Sequence, residues 1–191
     1  MQSIISNAIG IIPQMWDRIS ALRAANIDRN SFLYACYFEA KLNLEIIAAL
    51  NLTKLHKAAG TPAFAELVDS FETEATLTLL AGGASENYET LLKLLNEHWK
   101  APDKPMQSET GKPGGESTVT GVLDSFNFAV RKIEALKRIS RIAGKEATFL
   151  KDFRLGVRLE NIEAALDAIS NCMASIIKQI ETKPAGKRKG V

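Results

Sequence analysis

The chain has 191 residues, 46% of them apolar and 24% charged, with a net charge of +2. That length suits one domain and supports a core without disulfide or metal staples. So small a net charge does not by itself call for a nucleic-acid or membrane partner, and the distribution of charge carries more information than its sum.

Apolar residues recur at helical spacing almost everywhere and alternate at strand spacing almost nowhere, which predicts an all-α chain. The first helical stretch runs from Ile4 to Ala24, kinked or restarted at Pro13. Its start, MQSIISNAIGIIPQMW, is apolar but has no basic residue, so it lacks the charged region of a signal peptide and the basic face of a membrane-surface helix. It is expected to pack. No run approaches the ~18 apolar residues of a membrane span, so no membrane span is expected.

The next helix is placed at 29–51, capped by Asp28 or Asn30. It is apolar on nearly every side, from Phe32 to Leu50, which is the pattern of a central helix. Lys41 and Glu45 are expected to form a narrow solvated stripe. Glu39 and Asn43 fall in line with Phe32, Cys36, Ile46 and Leu50 instead. A carboxylate there needs partners, because burying a bare charge is costly. The reading is a buried polar pair: Glu39 bonded to Asn43, or paired with an arginine or lysine of another helix. A functional pocket around Glu39 is the sharper alternative.

Thr61-Pro62 marks a helix start, with Thr61 as the cap and proline in the first turn, and Gly82-Gly83 marks its end. Ser85 caps a further helix reaching Lys100. Residues 101–118, APDKPMQSETGKPGGEST, hold three prolines, three glycines and no aromatic residue, and are expected to form a long mobile loop. After it, one helix runs from Val119 to Ala143, with Gly144 as a C-cap or kink, and the last from Glu146 to Glu181, bent at Gly156. The whole reads as one bundle of five or six helices over residues 1–182, followed by a disordered basic tail over 183–191.

The last helix carries Leu155, Leu159, Ile162, Leu166, Ile169, Met173, Ile176 and Ile180 in alternating steps of four and three. This is an a/d seam. It serves either as the inward face of the bundle or, from Leu159 to Ile176, as an oligomer seam between chains.

Chemistry-bearing motifs are scarce. Neither His56 nor His98 has a glutamate three residues before it, as a di-iron bundle needs, and no cluster has zinc-ligand spacing. Neither follows an arginine at the four-to-six-residue spacing of helical ribonucleases in bacterial defence systems. Phosphate loops and nucleophile elbows are missing as well. No catalytic residue, cofactor or metal is therefore expected. Cys36 and Cys172 lie in apolar helical contexts and read as free thiols, which fits a reducing, cytoplasmic setting.

Charge is the asymmetric feature. Between residues 131 and 158 the basic side chains Arg131, Arg138, Arg141, Lys145, Lys151, Arg154 and Arg158, with Lys132 and Lys137, outnumber Glu134, Glu146 and Asp152. Residues 62–100 are acidic, with Glu66, Asp69, Glu72, Glu74, Glu86, Glu89 and Glu97 against Lys93 and Lys100. Three explanations compete: complementary faces packed within the bundle, self-association of basic patch on acidic patch, and contact with a phosphate backbone. The expected function is a non-catalytic interaction or assembly protein with a protein partner, itself or another subunit, and self-association through the last helix. The alternative is an accessory nucleic-acid-binding subunit that uses the 131–158 patch.

Overall fold

The computed structural model describes residues 29–53, 61–80, 88–103, 106–107, 119–142 and 154–182. The helix expected at Ile4–Ala24, His56, the Gly82-Gly83 stop, the Ser85 cap, Gly144, the helix start at Glu146 and the tail lie outside these residues, as does most of the 101–118 segment.

Among the described residues the chain is all-helical, with six helices and no strand. They are α1 (Arg29–Leu52), α2 (Pro62–Asp69), α3 (Glu74–Leu80), α4 (Tyr88–His98), α5 (Val122–Ile142) and α6 (Leu155–Thr182). Helix α6 is the axis: α1, α5 and α4 pack against it, while α2 and α3 bridge α1 and α5. Helices from both sides of the 101–118 segment share one apolar core, including Ile47 and Leu50 of α1, Phe64 of α2, Leu79 of α3, Leu95 of α4, Phe126 and Ile133 of α5, and Ile162 and Ile176 of α6.

Helix α1 is the central helix its composition implies, with Leu33, Cys36, Ala40, Leu42, Ile46, Ile47 and Leu50 buried and Lys41 and Glu45 exposed. The a/d residues of α6 face inward: Leu159, Ile162, Leu166, Ile169, Met173 and Ile176 are each at most 4% exposed. Ridges at this spacing pack against neighbouring helices of the same chain. The seam is therefore filled without a second chain, and these six side chains present no apolar edge to one.

Thr61 caps α2 as expected, accepting a hydrogen bond from the Phe64 N–H at 3.3 Å, with Pro62 in the first turn. The single helix expected from Pro62 to Gly82 is instead two, broken at 70–73. The Ser70 hydroxyl bonds back to the Leu67 carbonyl at 2.6 Å, and Phe71 turns into the core at 1% exposure. Local side-chain bonding of this kind competes with the helix ladder. Helix α6 is preceded by Arg154, whose φ of 47° lies in the left-handed region and whose carbonyl accepts the first helical bond, from the Arg158 N–H at 3.1 Å.

Candidate functional site

Glu39 is 3% exposed, and among the described residues its carboxylate is bonded to neither Asn43 nor a cation. Its Oε2 accepts the Ala75 N–H at 2.6 Å and its Oε1 the Thr76 N–H at 3.0 Å. These are the first free amides of α3, so α1 supplies a helix cap across the bundle. A carboxylate belongs there, because the unbonded N–H groups and the helix dipole both favour negative charge. Glu39 and Asn43 are both buried but not bonded to each other: among the described residues the carboxylate is held by the Ala75 and Thr76 N–H groups and by the Thr76 side chain.

Asn43, 2% exposed, performs a related task one turn further along α1. Its Nδ2 donates to the Glu72 carbonyl at 2.6 Å, and its Oδ1 accepts the Glu72 N–H at 2.8 Å. The amide side chain thereby satisfies both polar groups of one backbone residue, as a neighbouring strand would. Thr73 completes the junction by donating its hydroxyl to Glu134 Oε1 of α5 at 3.0 Å. The break between α2 and α3 is therefore a latch: two buried side chains of α1 and one carboxylate of α5 take over where the backbone bonds of α2 end, at the Ser70 and Phe71 N–H groups. Burial raises the Glu39 pKa above its ordinary value, against the lowering effect of Thr76 and Ala75, while the Glu72 charge adds a smaller rise.

The clasp recurs on α6. Asn161, also 2% exposed, accepts the Gln107 N–H at 2.8 Å and donates to the Gln107 carbonyl at 2.9 Å. Gln107 Nε2 in turn donates to Glu160 Oε2 at 3.0 Å, and Met106 is held in the core. Sequence reasoning missed Asn161. The available signal was a lone asparagine directly beside the seam residue Ile162, the same kind of placement that exposed Asn43. Asn161→Ala is expected to cost about 1–3 kcal/mol and to speed hydrogen exchange at the Gln107 amide. Unchanged protection of that amide would show the clasp to be dispensable.

Among the described residues, the predicted basic patch is divided between two places. Arg131 and Arg158 come together with Lys132, Phe128, Asn127 and Asp124 around an open pocket of about 630 Å³ between α5 and the start of α6. The Lys132 ammonium lies 5.3 Å from the Phe128 ring centre, a cation–π contact. Asp124, the one acid among the described residues of this wall, accepts the Thr120 hydroxyl at 2.6 Å. Arg138, exposed, stands two turns along α5 from Arg131. Arg141 leaves the group and meets Asp69 of α2 at 3.3 Å, so here the acidic and basic regions do pack within the bundle. Arg154 is exposed just before α6, and Lys145 and Lys151 lie outside the described residues.

A second concavity, of about 860 Å³, opens on another side of α6 against the end of α4 and residues 100–107. Among the described residues Asp103, Glu160, Glu163 and Asp167 line it with one lysine, Lys100. His98 and Ser175 sit on its wall, His98 Nδ1 lying 3.0 Å from Ser175 Oγ. The Cys172 thiol on the same wall donates to the Leu95 carbonyl at 3.3 Å, and burial pushes its pKa up to about 11. Cys36 is held well above the usual thiol range, by burial first and by the Glu39 charge second. Thiols so protonated are poor nucleophiles. Among the described residues no group of three or more His, Cys, Asp or Glu is arranged to hold a metal ion, and no helix is long and apolar enough to cross a membrane.

The described residues form an all-α bundle with a capped internal turn, one concavity lined by Arg131, Lys132 and Arg158 and another lined by Glu160, Glu163 and Asp167. Comparison with known protein families, with curated proteins and with solved structures finds no match.

Proposed function

We propose that this chain is a non-catalytic interaction protein that engages an anionic partner through the cationic pocket of Phe128, Arg131, Lys132 and Arg158. The observation that carries this reading is that exposed Arg131 stands on one open concavity with Lys132 of the same helix and Arg158 of α6, where Asp124 is the one acid among the described lining residues. Clustered like charge on a concave wall raises the local potential and steers an oppositely charged surface into register. The non-catalytic part of the reading is supported by the groups that chemistry would otherwise recruit. Glu39 is committed to capping α3, and both thiols are buried and protonated. The same buried thiols fit a reducing compartment, and the chain is read as cytoplasmic.

A phosphate backbone is a second reading for the partner, favoured by the two guanidinium groups at the pocket, since arginine matches phosphate oxygens with paired donors. Lys132 over Phe128 leaves that ring poorly placed for base stacking, so such binding would be sequence-independent. The test is fluorescence anisotropy with a labelled single-stranded oligonucleotide as a generic polyanion. Wild-type binding is expected to weaken linearly with salt on a log–log plot, with a slope of about −0.7 for each phosphate neutralised on a single strand. Arg131→Glu with Arg158→Glu should weaken binding at least tenfold at low salt. Equal binding by the double variant would remove the pocket from consideration.

A further inference from the structure

We infer that the anion-binding surface continues from the pocket along the outer edge of α5 to Arg138, and that its partner is the phosphate backbone of a nucleic-acid strand. The inference rests on the cationic pocket being a binding surface. It extends that surface and names the chemistry it takes.

Helix α5 carries five cations, Arg131, Lys132, Lys137, Arg138 and Arg141. The bundle uses three of them. Lys132 lies over the Phe128 ring, Lys137 pairs with Glu134 at 3.6 Å, and Arg141 pairs with Asp69 at 3.3 Å. Arg131 and Arg138 are exposed, and among the described residues neither has a hydrogen-bond or ion-pair partner. They also share one edge of the helix. At ~100° and ~1.5 Å per residue, seven positions make nearly two full turns and about 10 Å of rise. Ala135 stands between them, and exposed Asn127 precedes Arg131 by one turn, so the edge is open to a linear partner. The acids of α5 do not compete for these guanidinium groups. Asp124 accepts the Thr120 hydroxyl, and Glu134 is turned to Thr73 and Lys137. A nucleic-acid strand carries a phosphate at every nucleotide and can meet both arginines at once. Guanidinium answers phosphate oxygens with paired donors, which a carboxylate partner matches only where its own charges happen to be spaced to suit.

Arg138 lies outside the pocket lining, so it separates the extended surface from the pocket alone. Lys178 is the control for net charge: it is exposed and stands twenty residues, or about 30 Å, along α6 from Arg158. The measurement is fluorescence anisotropy with a labelled twenty-nucleotide single strand across a salt series, each variant first checked for intact helical circular dichroism. Arg138→Gln is expected to make the log–log salt slope shallower by about 0.7, one phosphate contact on a single strand. Arg138→Glu should weaken binding about tenfold at low salt, Arg138→Lys should keep the wild-type slope, and Lys178→Glu should bind like wild type. Poly-glutamate of equal charge should compete at least tenfold less well than unlabelled oligonucleotide. An Arg138→Glu protein that binds like wild type while Arg131→Glu does not would leave the pocket standing and overturn its extension. Equal losses in Arg138→Glu and Lys178→Glu would overturn it too, as an effect of overall charge. Poly-glutamate that competes as well as the oligonucleotide would overturn the assignment to phosphate, and a wild type that binds no oligonucleotide would overturn the whole inference.

Discussion

Glu39→Ala is expected to lower the free energy of unfolding by about 3 kcal/mol or more, from two backbone N–H groups left buried without an acceptor. Urea denaturation followed by circular dichroism measures it. The loss should fall on α3 and the 70–73 turn, because Ala75 and Thr76 are the amides that Glu39 holds. Glu39→Gln keeps one acceptor and turns an amide N–H₂ toward the other donor, so it should cost about 1–3 kcal/mol. The two proteins also differ with pH. The folded-state pKa of Glu39 is raised above its ordinary value of 4.5, chiefly by burial. In the window between those values the folded chain binds the proton more tightly than the unfolded one, so stability falls as pH rises. The advantage of wild type over Glu39→Gln is therefore greatest below the ordinary value. It shrinks as pH climbs through the raised value and is level above it. An advantage that grows across that window would mean the carboxylate is held by a countercharge rather than by amides in a buried site.

Ile169→Asn is expected to unfold the chain rather than to divide an oligomer. Ile169 is 1% exposed, between Leu166 at 4% and Met173 at 1% along the inward edge of α6. Losing a buried isoleucine and burying an amide without partners together cost about 4 kcal/mol or more, a large share of the stability of an ordinary domain. Loss of the helical signal at room temperature, or a melting midpoint lowered by more than ten degrees, is the predicted result. A folded, monomeric Ile169→Asn protein beside an oligomeric wild type would instead place the seam between chains.

The contrast between these residues explains what could be read in advance. Apolar periodicity is a local property, so the inward edge of α6, the all-round apolar α1 and the Thr61-Pro62 start of α2 were visible in the sequence. The burial of Glu39 and Asn43 followed from the same wheel. Their partners did not, because those partners are backbone groups of a turn some thirty residues away. That turn was itself invisible: Ser70, Phe71, Glu72 and Thr73 include neither glycine nor proline, and the helix breaks there because tertiary bonds to Asn43, Glu39 and Glu134 replace the ladder. The basic patch was visible as composition, but the sequence holds no record of how α5 and α6 are rotated about each other. That rotation joins Arg131 to Arg158, brings in Lys132, and sends Arg141 to Asp69.

Asn43 and Asn161 show one device used twice. A buried asparagine on a long helix holds the N–H and C=O of a single non-helical residue, Glu72 in one case and Gln107 in the other. Each pins a short irregular segment against a long helix. The first fixes the α2–α3 junction against α5, where Glu134 also reaches, and the second builds the wall of the concavity of Glu160, Glu163 and Asp167. Buried polar groups satisfied in this way specify one arrangement of the segments they hold. Helix position and surface charge are thereby tied to the same few residues.

The measurement that bears most directly on the account is chemical-shift mapping of the full chain on titration with the single-stranded oligonucleotide at low salt. Perturbed amides are expected to cluster on α5 from Asp124 to Ala135 and at the start of α6 around Arg158, and to fade together as salt is added. Perturbations centred on the groove of Glu163 and Asp167, or spread evenly over the surface, would contradict the cationic pocket as the surface through which this protein binds.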